Sequence, residues 1–152
     1  MPELGPYAFV RGARGNSRPY RDPIAAFRVP EPVDMVWTTQ NYHDLHDKAF
    51  GPADIPAFNK AVFDALKPGG VFFVVDHVAP AGDGIKDTET LHRIDPVAAK
   101  SEIEAAGFVL EAQSDMLRNP DDNHTLRIFD PVIRGKTDKF VFKFRKPVRA
   151  QP

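Results

Sequence analysis

The run VFFVVD, from Val71 to Asp76, constrains the fold of this chain more than any other stretch. Its apolar residues do not alternate with polar ones. A strand of that kind needs cover on both faces, as in the interior of a parallel sheet. The preceding KPGG, Lys67 to Gly70, reads as a helix stop and a chain turn. Upstream of it, Ile55, Phe58, Val62, Phe63 and Leu66 recur at three- and four-residue steps, which predicts a helix over 55–66. Asp54 is its expected N-cap, and Pro56 is tolerated in its first turn. Val33 to Trp37 reads as a short strand ahead of that helix.

A second helix is expected over 96–106, with Asp95 as N-cap and Gly107 as a left-handed stop. Phe108 to Ser114 follows as a strand. Lys139 to Arg145 alternates, with Phe140, Phe142 and Phe144 on one face, and so fits a half-buried antiparallel or edge strand. The stretch between them, 116–138, reads as a surface excursion with little structure of its own. Alternating strands and helices before a final reversed strand predict an α/β, doubly wound sheet.

The 152 residues suffice for one domain. Residues 1–31 differ from the rest: RGARGNSRPYRDP is rich in Arg, Gly and Pro without a period, and no lysine precedes Lys48. That segment is expected to be loosely ordered or a replacement for a natural N-terminus, with YAFV and AAFRV as weak strand candidates. The α/β domain is expected over 32–149. A net charge of −1 supplies no electrostatic reason to bind nucleic acid or an anionic membrane. The absence of cysteine excludes disulfides, thiolate metal sites and cysteine nucleophiles. No apolar run approaches the roughly 20 residues that span a bilayer. No secretory signal is visible, so the expected compartment is the cytoplasm, or the periplasm if a leader was lost.

The ordered segments resemble class I S-adenosylmethionine-dependent methyltransferases. DALKPGGVFFVVDH (64–77) resembles the helix, turn and fifth strand of that family, and VDMVWTTQNYHDLH (33–46) its fourth strand and following loop. EIEAAGFVLEAQSDML (102–117) resembles the later helix and sixth strand, and DKFVFKFRKP (138–147) the closing seventh strand. TLHRID (90–95) adds to a resemblance with a bacterial subfamily, over about four fifths of the chain. It implies a partial Rossmann-like sheet, S-adenosylmethionine as cofactor and a small-molecule acceptor. The family's cofactor site is built from an acidic-x-Gly-x-Gly loop after the first strand and an acid ending the second. This sequence contains neither. GARG (12–15) lacks the glycine spacing, and Asp22, twelve residues before Asp34, is only a weak match to the family's acid near adenine. The chain therefore resembles the C-terminal half of a methyltransferase. In the family Val33 to Trp37 is central; without its neighbour it is expected to be an exposed edge, a route to a homodimer.

Methyl transfer is an in-line displacement in which alignment supplies much of the rate, helped by a base for the acceptor's proton. In doubly wound sheets this work sits outside the carboxyl ends of the strands. Three groups fall there: Gln40, Asn41, Tyr42, His43 and His46 after the first strand; Asp76 and His77 after the second; His92 and Arg93 before the second helix. The resemblance puts Asn41 and Tyr42 at the acceptor; otherwise they are a helix cap and a packed aromatic. His43 is the first choice for a base, or a histidine bonded to backbone. Asp76 orients His43 or His77, or caps a loop. Gln40, His46, His77, His92 and Arg93 are the substrate-binding candidates, with Arg93 alternatively a structural ion pair. Asp121, Asp122, Asn123 and His124 read as a solvated turn. His43, His46, Asp76 and His77 have ligand types suited to zinc or iron, but HDLH is a poor metal signature, no known spacing is complete, and no metal is expected. The alternatives to a methyltransferase are a non-catalytic binding or partner module and, further off, a metal-dependent hydrolase. A nicotinamide dehydrogenase would need the same absent glycine loop.

Overall fold

The computed structural model describes residues 28–48 and 53–148. YAFV, GARG, Asp22 and the first part of AAFRV lie outside the described residues. The elements in chain order are β1 (Val33–Thr39), a single 3-10 turn (His43–His46), α1 (Ile55–Ala65), β2 (Leu66–His77), α2 (Pro96–Glu104), β3 (Val109–Ser114) and β4 (Lys139–Arg145). Asp54 caps α1 by accepting from the Ala57 amide at 2.9 Å, and Asp95 caps α2 by accepting from Val97 at 2.9 Å. Each carboxylate takes an amide the helix cannot satisfy itself.

The four described strands form one sheet in the order β1-β2-β4-β3. β1 and β2 are parallel, while β4 runs antiparallel to both β2 and β3. β4 is thus an interior strand of reversed direction, which explains why Val141 is buried along with Phe140, Phe142 and Phe144. The apolar run of β2 is covered as its lack of alternation requires: Phe72 and Val74 are buried from one side and Val71 and Val75 from the other. The core joins Phe72 and Val74 to Val62, Leu66, Ile103, Phe108 and the β4 phenylalanines, with α1 and α2 packed on one another.

KPGG differs from its expected role. Strand pairing already begins at Leu66, opposite Val33, and resumes at Val71 opposite Met35. Lys67 to Gly70 therefore forms a bulge within β2 facing the single residue Asp34. Glycine is required at position 70, because a Cβ there would lie 2.8 Å from the Lys67 carbonyl oxygen.

The stretch 116–138 has no regular element, as expected, but it is not merely a surface excursion. Asp122, Ile128, Ile133, Thr137 and Asp138 are buried. Asp122 in particular is not in a solvated turn: it forms a two-point ion pair with Arg93, at 2.9 and 3.0 Å. The Arg93 guanidinium also donates to the Val78 and Leu126 carbonyls, so its buried charge has a partner in every direction. β1 is an edge among the described residues, with Met35 and Trp37 exposed on one face. No described helix is long and apolar enough to cross a membrane.

Candidate functional site

The parallel strands β1 and β2 end side by side, and the Gln40 amide continues their ladder by donating to the Val75 carbonyl at 2.7 Å. Gln40 takes a left-handed φ of 58°. That turn drops Tyr42 and His43 into the protein while Gln40 and Asn41 stay exposed. Asn41 and the Thr38 hydroxyl are hydrogen-bonded to one another.

Asp76 organises the buried part. Its carboxylate accepts from the His43 amide at 2.7 Å, from His43 Nδ1 at 2.8 Å and from the His77 amide at 2.8 Å. Three donors satisfy a charge that would otherwise be costly at zero exposure. The other nitrogen of His43, Nε2, lies 3.1 Å from Asp44 Oδ1. Burial alone opposes charge on this ring, but the bonds to Asp44 and Asp76 prevail and push His43 up to about 9. At neutral pH it is an imidazolium that donates from both nitrogens. Burial likewise opposes charge on Asp44, yet the His43 bond holds its carboxyl below the usual range.

His77 is the opposite case. Burial pushes it down to about 4, and the nearby charges of His43, Lys139 and Arg93 act in the same direction, against Asp76. Its Nδ1 pairs with the Thr137 hydroxyl at 2.7 Å, and its ring lies 5.8 Å from that of His43. Two histidines on one aspartate are thus held in different protonation states by what else touches them.

His92 completes the group from the far side. Its ring centroid is 5.6 Å from His43 and 5.1 Å from Phe129, and its Nδ1 is 3.7 Å from Asp44 Oδ1. It too has a left-handed φ, of 57°, and it directly precedes the fully buried Arg93. Arg127 lies 3.3 Å from His92 Nε2, and Arg127 and Phe129 help to line an open groove of about 450 Å³ with Leu91, Leu126 and Asp130.

Tyr42 and His46 point elsewhere. Tyr42 is fully buried; its hydroxyl donates to Glu102 at 3.2 Å and accepts from Asn59 at 2.9 Å. Burial and the Glu102 carboxylate raise the phenol far above its ordinary pKa. His46 Nε2 binds Glu102 at 2.9 Å, and its buried Nδ1 has no partner among the described residues. The structure therefore brings His43, Asp76, His77 and His92 together, keeps Gln40 and Asn41 at the rim, and places Tyr42 with His46 on a separate polar pair beneath α2. Arg93 reaches Asp122 rather than this group.

Sequence reasoning missed Asp44, Asn59, Glu102 and Thr137. Asn59 had a signal: it falls four residues after Ile55 and three before Val62, on the apolar face of α1. Asp44 sits between two histidines already singled out. Glu102 and Thr137 reach the site only through packing.

The fold is that of the class I S-adenosylmethionine-dependent methyltransferases. The structure of the N-methyltransferase NodS from Bradyrhizobium japonicum WM9 is similar with a TM-score of 0.53 at 12% identity, over 82% of this chain and 56% of that one. The glycopeptide N-methyltransferase MtfA complexed with S-adenosylmethionine is similar with a TM-score of 0.52 at 16% identity, over 82% and 58%. The cyclase SpnF matches with a TM-score of 0.52 at 16% identity, over 82% and 54%. The chain thus spans somewhat over half the length of these proteins. No protein-family model and no curated protein matches it. A cyclase on the same architecture illustrates that fold alone does not assign a reaction.

Proposed function

We propose that this chain supplies the acceptor side of a methyltransferase that uses S-adenosylmethionine and a small-molecule acceptor, and that it lacks the Gly-rich donor loop. One observation carries the reading: His43, Asp44 and His92 converge just outside the carboxyl ends of the parallel strands β1 and β2, on Asp76 and His77, the last residues of β2. In sheets of this kind that is where ligands sit. Gln40 and Asn41 at the rim and the groove beside Phe129 and Arg127 hold the acceptor. Asp76 orients His43, and Arg93, anchored on Asp122, positions His92.

His43 acts as the base only after its own proton is gone, since both nitrogens donate in the resting site. Asp44 is the group through which that proton leaves toward the acceptor side, because it is half-exposed and touches both His43 and His92. The edge strand β1 pairs with a second copy of the chain; Met35 and Trp37 on an edge that is open among the described residues support this.

Calorimetry with S-adenosylmethionine tests the reading. The chain alone is expected not to bind, and binding by the chain alone, lost on adding S-adenosylhomocysteine, would overturn the absence of a donor site. Binding only when a methyltransferase donor half is added would support an acceptor half. No binding in either setting refutes the reading and favours a non-catalytic module. Light scattering checks the edge: a monomer unaffected by Trp37→Lys at high concentration refutes the dimer.

A further inference from the structure

We propose that His43, Asp44 and His92 form a site for one divalent transition-metal ion such as zinc, with Asp76 positioning His43. One ligand atom from each of the three lies within 4.8 Å of the others. Asp44 Oδ1 is 3.1 Å from His43 Nε2 and 3.7 Å from His92 Nδ1, which brackets the separation of about 3.4 Å between two ligands of a tetrahedral ion at bonds of about 2.0–2.1 Å; the outer bound of 4.8 Å exceeds the about 4.2 Å of two opposed bonds, so the two rings must draw in around an ion. Two imidazoles and one carboxylate are a donor set suited to zinc or ferrous iron. Three protein ligands leave positions open for water or substrate.

Proximity is supported by a second, independent feature. Ligand histidines characteristically donate their other ring N–H to a carboxylate, which fixes the tautomer and raises ligand basicity. His43 does this: Nδ1 is bonded to buried Asp76 at 2.8 Å, and Asp76 is itself held by two backbone amides. This leaves Nε2 facing Asp44, where the ion belongs. The His43 side is sealed, whereas Asp44 and His92 are partly exposed, so the open positions face solvent. His92 has the backbone strain of a positioned residue, with a φ of 57°. The exposed Arg127 guanidinium, 3.3 Å from His92 Nε2, is a positive charge beside the site and opposes cation binding.

Of the ligand types noted in the sequence, His46 is bonded to Glu102 and Asp76 lies behind His43, so the groups that face His43 Nε2 are Asp44 and His92. With an ion bound, His43 would be its ligand and not a base; resting on the function proposed above, the ion would then supply the Lewis acid for an oxygen or sulfur of an acceptor in the groove beside Phe129.

The test uses the full chain, stripped with chelator and titrated with Co²⁺ and then Zn²⁺, reading the visible absorption of cobalt and the stoichiometry by mass spectrometry. One cobalt per chain is expected, displaced by zinc. His92→Ala and Asp44→Asn, both at partly exposed positions, should weaken binding at least tenfold. Asp76→Asn should weaken it about 10–100-fold, as an orienting residue does. Arg127→Ala should bind as tightly or more tightly. Absence of stoichiometric binding overturns the proposal, and so does binding that survives His92→Ala but is lost with His124→Ala. If Asp76→Asn fails to fold, the His92 and Asp44 variants decide alone. No methyl donor is present, so the result stands apart from the proposed transfer reaction.

Discussion

Replacing Asp122 by alanine strikes the ion pair that holds the site's far wall in place. Arg93 has no exposure and donates twice to Asp122, at 2.9 and 3.0 Å, and once each to the Val78 and Leu126 carbonyls. The variant leaves a buried guanidinium with carbonyl partners only, a loss of about 3–5 kcal/mol. It also strips the Asp138 and His124 amides of their acceptor. For a chain of this size each kcal/mol shifts Tm by about 2–4 °C, so the midpoint should fall by about 6–20 °C. Urea and thermal unfolding should be followed by far-UV circular dichroism, because Trp37 is 65% exposed and reports little. Asp121→Ala is the control: it removes an exposed neighbouring carboxylate and should change stability by about 0.5 kcal/mol or less. In a cycle with Arg93→Met, the double variant should lose less than the sum of the singles. If Asp122→Ala falls within about 1 kcal/mol of Asp121→Ala, the buried pair does not anchor this region, and the placement of His92 by it fails too.

Two pH effects separate the histidines that share Asp76. In metal-free protein His43, raised to about 9, should be doubly protonated at pH 7.5 in nitrogen-detected NMR. Its stabilising contribution is complete below about 6.5 and disappears as pH rises through 9; Asp44→Asn should lower that titration, and an unchanged midpoint would contradict the assigned cause. His77, depressed to about 4, works in the other direction. Above about 6.5 it is neutral folded or unfolded; as pH falls toward 4 only the unfolded chain takes the proton, so stability is lost by up to about 3 kcal/mol. The stability difference between the protein and His77→Gln should therefore shrink across that window, and parallel curves would disprove it.

The element pattern was legible along the chain because it depends on local chemistry. Asp54 and Asp95 cap the helices they precede, Gly107 has the left-handed φ of 104° expected of a stop, and the alternating Phe140, Phe142 and Phe144 set the bounds of β4 at 139–145. Even the sheet's class followed from the unalternating Val71 to Val75. The bulge at KPGG was not legible, since a turn and a bulge use the same glycines and differ only in whether Leu66 finds Val33.

Side-chain partnerships lay further from reach. HDLH presents two histidines with equal claims, yet one binds Asp76, 33 positions on, and the other Glu102, 56 positions on. Arg93 and Asp122 are both polar residues in loops, and nothing local says that they meet in the interior. By itself the sequence determined the strands, the helices, their caps and the direction of the last strand, because propensity, periodicity and capping act over a few residues. Only the tertiary structure decided that Tyr42 is core, that Asp122 is buried, and that Asp44 and His92 face His43. Those outcomes depend on which strand ends are brought side by side, and a buried charge takes its partner from whatever the packing places within about 3 Å.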